Sequence, residues 1–238
     1  MNNILAILKK ELTLYFYSPL AYIFISVFLV ISGFLFLQNF FLYRQASMQN
    51  FFSFLPWILL ILVPALCMKL LAEEKKMGTL ELILTSPVKD VSLVIGKFKA
   101  ALIVIAISFL LSVGLAFSIN YLGSPDNGVI IAQYISSILL AMVYIAISIF
   151  ASSLTDNQII AFILSVTICF VFLIMGQSFV VDALPASIRY VFGFLGISNH
   201  FFSMSRGIID SRDILYYLSL IFFFVFLTLK NLEKRKYE

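Results

Sequence analysis

The sequence predicts an all-α, polytopic membrane protein with six transmembrane helices. Three observations predict it. Hydrophobic residues make up 62% of the chain, against roughly 45–50% in an average soluble domain. Charged residues make up only 12%, about half the usual share of roughly 25%, and would cover the surface of a soluble domain thinly. The apolar residues also come in six runs, 20–42, 53–71, 100–122, 130–154, 158–181 and 214–230, each near the roughly 20 residues that cross a hydrocarbon core about 30 Å thick. Barrel strands would alternate apolar and polar residues, whereas Ile103-Val104-Ile105-Ala106-Ile107 has no polar member. The same composition excludes a disordered chain, which needs low hydrophobicity and high charge. The whole chain, 1–238, reads as one transmembrane domain.

Taken in order, residues 1–19 form an amphipathic entry helix. Ile4, Leu5, Leu8, Leu12 and Tyr15 make one face, with Lys9, Lys10 and Glu11 beside it, a pattern suited to lying flat at the bilayer interface. The first span then runs into bulky Phe34-Leu35-Phe36-Leu37 with no small-residue cleavage site, so it reads as an anchor that stays. Cys67 and Cys169 fall inside spans two and five and read as small apolar packing residues.

Between spans two and three, segment 72–99 holds 9 of the 28 formal charges and an apolar stripe of Met77, Leu80, Ile83 and Leu84 broadened by Leu82. Gly78-Thr79 offers a break and a cap where a short helix starts. Ser86-Pro87 reads as a cap and a first-turn proline opening a second helix that leads into span three. This hairpin is either a docking knob for a soluble partner or a helix resting on headgroups.

Beyond span five, segment 182–213 is half apolar and carries Arg189, His200, Arg206 and Asp210. It predicts re-entrant or interfacial outer helices before span six, serving as an outer gate or as a lid. Arg206 and Asp210 are spaced to pair on a helix, and Ser211 is placed to cap span six.

Basic residues set the orientation. With both termini in the cytoplasm, 12 of the 16 Lys and Arg fall inside and Arg44, Arg189, Arg206 and Arg212 outside. The net charge of +4 is then a matter of topology, and no basic stripe with interleaved aromatics points to nucleic acid. The spans carry no Asp, Glu, Lys, Arg or His in their centres, so a proton relay has no titratable groups to run on. With His200 the sole histidine, a zinc-protease HExxH pair is excluded. Gly96-Lys97 is followed by Phe98, which is no phosphate-binding loop. The chain therefore reads as a non-enzyme whose energy comes from elsewhere.

The run Glu73-Glu74-Lys75-Lys76-Met77-Gly78-Thr79-Leu80-Glu81-Leu82-Ile83-Leu84-Thr85-Ser86-Pro87, followed by Gly96-Lys97-Phe98, resembles the signature of ABC-2-type transporter permeases, with Ile83 where that family has leucine. Lys10-Glu11-Leu12 to Ser18-Pro19-Leu20-Ala21-Tyr22 resembles the family's entry helix. Ser152-Ser153-Leu154-Thr155-Asp156-Asn157-Gln158 resembles its short turn between spans four and five, and Ser205-Arg206-Gly207-Ile208-Ile209-Asp210-Ser211-Arg212-Asp213 its lead-in to span six. Together these are most similar to the gliding-motility branch. The resemblance implies a bacterial inner-membrane permease subunit without cofactor of its own, ATP and magnesium being bound by a separate ABC ATPase subunit. It implies a second permease copy or related permease, and in the gliding branch an auxiliary membrane protein with a large outer domain. A coupling helix after span two would contact the ATPase through Glu73, Glu74, Gly78, Thr79, Leu80, Glu81 and Leu84. The work done would be export or mechanical. The alternative is a membrane scaffold that anchors motility or secretion components without moving a substrate.

Overall fold

The computed structural model describes residues 2–43, 48–85, 88–123 and 125–235. Arg44, Ser86 and Pro87, singled out above, lie outside them, as does the side chain of Leu84. Twelve helices and no strand occur among the described residues. They are α1 (Asn2–Tyr17), α2 (Leu20–Tyr43), α3 (Gln49–Cys67), α4 (Lys69–Lys76), α5 (Thr79–Thr85), α6 (Asp90–Leu122), α7 (Asn127–Leu154), α8 (Gln158–Met175), α9 (Ser178–Val181), α10 (Ala186–Leu195), α11 (Ile197–Ser205) and α12 (Ser211–Arg235). Six helical stretches are long and apolar enough to cross a membrane: α2, α3 with α4, α6, α7, α8 and α12. The protein is a multi-pass, all-α membrane protein.

Helix α7 is the axis of the bundle. It packs against α3, α6, α8, α11 and α12, and 72% of its membrane window is buried, against 22% for α8. Its sequence explains the position. Ser136, Ser137, Ala141, Ala146, Ser148, Ala151 and Ser152 are all buried, and small residues let neighbouring backbones approach without a hydrophobic drive between helices in lipid. The hydroxyls are satisfied locally: Ser136 and Ser137 Oγ donate to Gln133 O, and Ser148 Oγ to Tyr144 O, which spares the apolar interior an unpaired donor. Asp126 caps the helix start, accepting from Gly128 and Val129 N–H. An aromatic cluster of Phe28, Phe52, Phe109 and Tyr134 joins α2, α3, α6 and α7, each ring edge-on to the next, the arrangement ring quadrupoles prefer.

Helix α6 begins at Asp90 and runs without a break through span three, 33 residues long, as expected of the hairpin's second helix. Span two, expected as one run, is divided at Met68 into α3 and α4. Span five ends at Met175 rather than 181, because Gly176 caps it and the chain turns there. A Cβ on Gly196 would fall 2.1 Å from the Gly176 backbone, so two glycines in contact bring the α10–α11 junction against the end of α8. Ser198 Oγ donates to Leu173 O across the same junction. Helix α11 is thereby drawn into the bundle among α3, α7, α8 and α12, while α10 packs on α8, α9 and α11, meets α12 through Phe194 beside Tyr216, and leaves Tyr190, Val191 and Phe194 exposed. Segment 182–213 is thus one outlying amphipathic helix and one inserted helix.

Candidate functional site

At the end of the bundle that gathers α1, α4, α5 and both ends of the α7–α8 turn, charges and serines lock four elements together. Helix α1 crosses α6 at Gly96, where a Cβ would meet Ile7 Cγ2 at 2.7 Å; only the missing side chain permits the crossing. That approach sets Glu11 of α1 over Lys97 of α6. Lys97 Nζ lies 2.7 Å from Glu11 Oε1 and 2.9 Å from Glu74 Oε1, and Lys10 Nζ lies 3.4 Å from the same Glu74 oxygen. Lys97 is 1% exposed, Glu11 6% and Glu74 8%. A buried charge is tolerated only when paired and hydrogen-bonded, and here each acid finds the lysine between them. Next to this cluster Tyr15 OH donates to Leu66 O at 3.1 Å. Burial, and secondarily Cys67 and the Glu11 carboxylate, push its phenol well above the ordinary range, so it stays a donor.

The hairpin hangs from this cluster by a jointed helix. Helices α3 and α4 are separated by a turn at Met68, one turn after Pro64. The freed backbone groups do not go unpaired. Ser152 Oγ, from α7, accepts from Leu71 and Ala72 N–H at 3.1 and 3.0 Å and donates to Met68 O at 2.9 Å. One hydroxyl supplies a donor and two acceptor positions, so a serine from another helix caps α4 from outside. Its neighbour Ser153 gives its carbonyl to Lys75 Nζ of α4 and to Asn231 Nδ2 of α12, the latter at 2.7 Å. The turn that follows is built from Asn157, whose side chain accepts from Ile159 N–H to start α8.

Beyond α4 the chain turns at Gly78, whose φ of +68° is a left-handed conformation that favours glycine. Thr79 Oγ1 donates to Glu74 O at 3.2 Å, and α5 starts at the same residue. The apolar stripe splits. Leu80 is buried at 0%, whereas Met77 is 61% and Leu82 71% exposed; these two make the hairpin's apolar ridge, Met77 at the rim of the cavity beside α1 and Leu82 with Glu81 next to it.

The expected contact residues therefore occupy different environments. Gly78 and Glu81 are exposed and Glu73 and Thr79 half-buried. Glu74 and Leu80 face inward, Glu74 as the partner of Lys97 and Lys10. Sequence reasoning missed Glu11, which it set on the polar side of α1, and Lys97, Ser152 and Ser153. A lysine in the apolar stretch Val94-Ile95-Gly96-Lys97-Phe98, directly after a glycine, was the one local signal.

At the opposite end, Arg189 and His200 border one open cavity together with Asp213, and Arg206 and Asp210 lie outside it. His200 Nδ1 lies 2.7 Å from Asp213 Oδ1 and its Nε2 2.8 Å from Phe194 O, and its ring stacks on Tyr216 at 3.8 Å; it fastens α11 to α12. Arg189 donates to Asp182 and Leu184 O. Arg206 is exposed, and among the described residues no ion pair joins it to Asp210. Asp210, rather than Ser211, caps α12, its Oδ1 accepting from Arg212 N–H at 2.9 Å.

Residues 34–230 match the model of a family described as ABC-2 family transporter protein. No curated protein matches the chain.

Proposed function

The chain belongs to the ABC-2 transporter family, and on that premise we propose that it is the permease subunit through which a separate ABC ATPase, binding ATP and magnesium, drives export or mechanical work across the bacterial inner membrane. The observation that carries the reading is the jointed α3–α4–α5 hairpin: an exposed apolar ridge at Met77 and Leu82 on the outside, tied on the inside to α1 and α6 by Glu74 and to α7 by Ser152. Force applied to α5 by a docked subunit passes into α7, the axis on which the spans pack. Both termini lie in the cytoplasm, and the ridge is the docking contact together with Gly78 and Glu81. Glu74 and Leu80 shape the hairpin from within, and Glu73 lies at its edge. A second permease copy or a related permease completes the pathway, and the gliding-motility branch, with an auxiliary protein bearing a large outer domain, is the context the sequence motifs favour.

Two substitutions separate docking from transmission. Met77→Glu with Glu81→Lys should lower the amount of ABC ATPase that co-purifies with the tagged chain at least tenfold. Ser152→Ala should leave that amount unchanged while transport-linked ATP hydrolysis falls, because the joint at Met68 loses its outside cap. Undiminished co-purification of the ridge variant would overturn the docking assignment. ATPase binding without any nucleotide-dependent movement of cargo in reconstituted vesicles would favour the scaffold alternative.

A further inference from the structure

Two cavities meet at the foot of α4. The first, about 370 Å³, lies among α1, α4 and α5 and is lined by Lys10, Glu11, Lys69, Glu73, Glu74 and Lys97 with apolar walls at Tyr15 and Leu70. The second, about 340 Å³, is an apolar groove between α2 and α3 lined by Leu20, Ile23, Val27, Leu62 and Leu66. Ser18 and Lys69 border both. A chamber with six charged side chains in its wall thus adjoins, at Lys69, a groove between two membrane-spanning helices, the layout of a headgroup and an acyl chain.

The charges in the chamber select the headgroup. Three bases face three acids. Lys97, Lys10, Glu11 and Glu74 are engaged with one another. Glu74 Oε2 nonetheless remains buried without a hydrogen bond, so the chamber keeps an excess of acceptor. Lys69 and Glu73 carry no ion pair among the described residues; Lys69 lies 5.8 Å from the Tyr15 ring centroid, within cation–π range. They stand four apart on α4, neighbours on one helical face. One cation at the seam and one anion inside match a phosphate followed by an ammonium. A purely anionic headgroup could set its phosphate at Lys69 but would leave Glu73 facing it without a counter-charge. A choline headgroup brings a quaternary nitrogen with no N–H to give.

We propose that this pair of cavities binds one aminophospholipid of the phosphatidylethanolamine class, its phosphate at Lys69, its ammonium at Glu73 and an acyl chain between α2 and α3. The bound lipid braces α4 against α1 and α2. The assignment does not depend on the ATPase-coupling role, because it concerns the isolated chain.

The full chain, purified in dodecyl maltoside and stripped of lipid, is titrated with palmitoyl-oleoyl phosphatidylethanolamine, phosphatidylglycerol and phosphatidylcholine. Native mass spectrometry counts the lipids retained. The expected result is one retained phosphatidylethanolamine, with the other two bound at least tenfold more weakly. Glu73→Gln should erase that preference, and Val27→Trp, which fills the groove, should abolish retention of all three. Equal retention of the three lipids, or preference for phosphatidylglycerol, by the unaltered chain overturns the proposal, as does an undiminished preference in Glu73→Gln.

Discussion

Lys97 shows how much one side chain carries in a protein with so few charges. It sits between Glu11 and Glu74 at 2.7 and 2.9 Å with 1% of its surface exposed. Its removal does not merely delete two ion pairs. It leaves two carboxylates buried near one another with only the more distant Lys10 to offset them. Breaking a buried pair by taking one partner costs about 3–5 kcal/mol, whereas replacing the whole group with uncharged residues of similar size is often neutral. Lys97→Met should therefore lower the thermal unfolding midpoint in detergent sharply and loosen α1 from α6. Lys97→Met combined with Glu11→Gln and Glu74→Gln should recover most of the loss. If the triple variant is no more stable than the single one, the cluster's contribution is not electrostatic.

Among elements, the tightest junction is where the end of α8 meets the start of α11. A Cβ at Gly196 would sit 2.1 Å from the Gly176 N and Cα atoms, which are backbone and cannot rotate away. Gly196→Ala must separate α8 from α11, and overpacking of this kind costs about 1–3 kcal/mol. Gly114, in the middle of α6, has nothing within 4 Å of its added Cβ, so Gly114→Ala should be neutral or stabilising by up to about 1 kcal/mol. Unfolding midpoints of the two variants, measured side by side, check the contrast. These cases also mark what the sequence could tell. The spans and the hairpin were legible, because long apolar runs and a glycine followed by threonine act over a few residues. The Gly176–Gly196 contact and the Glu11–Glu74–Lys97 cluster join positions 20 to 86 residues apart, and no local period encodes such pairings. Glu11 was misplaced because acids in an amphipathic helix normally face water; its partner on α6 reverses that preference. Ser152 was recognised only as part of a turn, since a hydroxyl that caps a distant helix leaves no pattern in its own neighbourhood.

For the whole molecule, the charge distribution supports the proposed orientation, with both termini in the cytoplasm, in a way that experiment can check. The end that holds Lys10, Lys69, Lys75, Lys97 and the last turn of α12, with Lys234 and Arg235, gathers most of the basic residues. Such ends are retained inside, because Lys and Arg near a span resist translocation. Cys67 and Cys169 are both buried, so a membrane-impermeant maleimide leaves them unreacted and single reporter cysteines can be placed on the native background. Asp156, in the α7–α8 turn, and Asn127, at the start of α7, are exposed at opposite ends of the same helix. In right-side-out spheroplasts Asn127→Cys should label at once, and Asp156→Cys only after permeabilisation. The reverse pattern would place the Met77–Leu82 ridge outside the cell, where no ATP-hydrolysing subunit can reach it, and the docking assignment would fall with the topology. The lipid assignment would survive in that case, moved to the other leaflet, since its chemistry depends on Lys69 and Glu73 and not on which way they face.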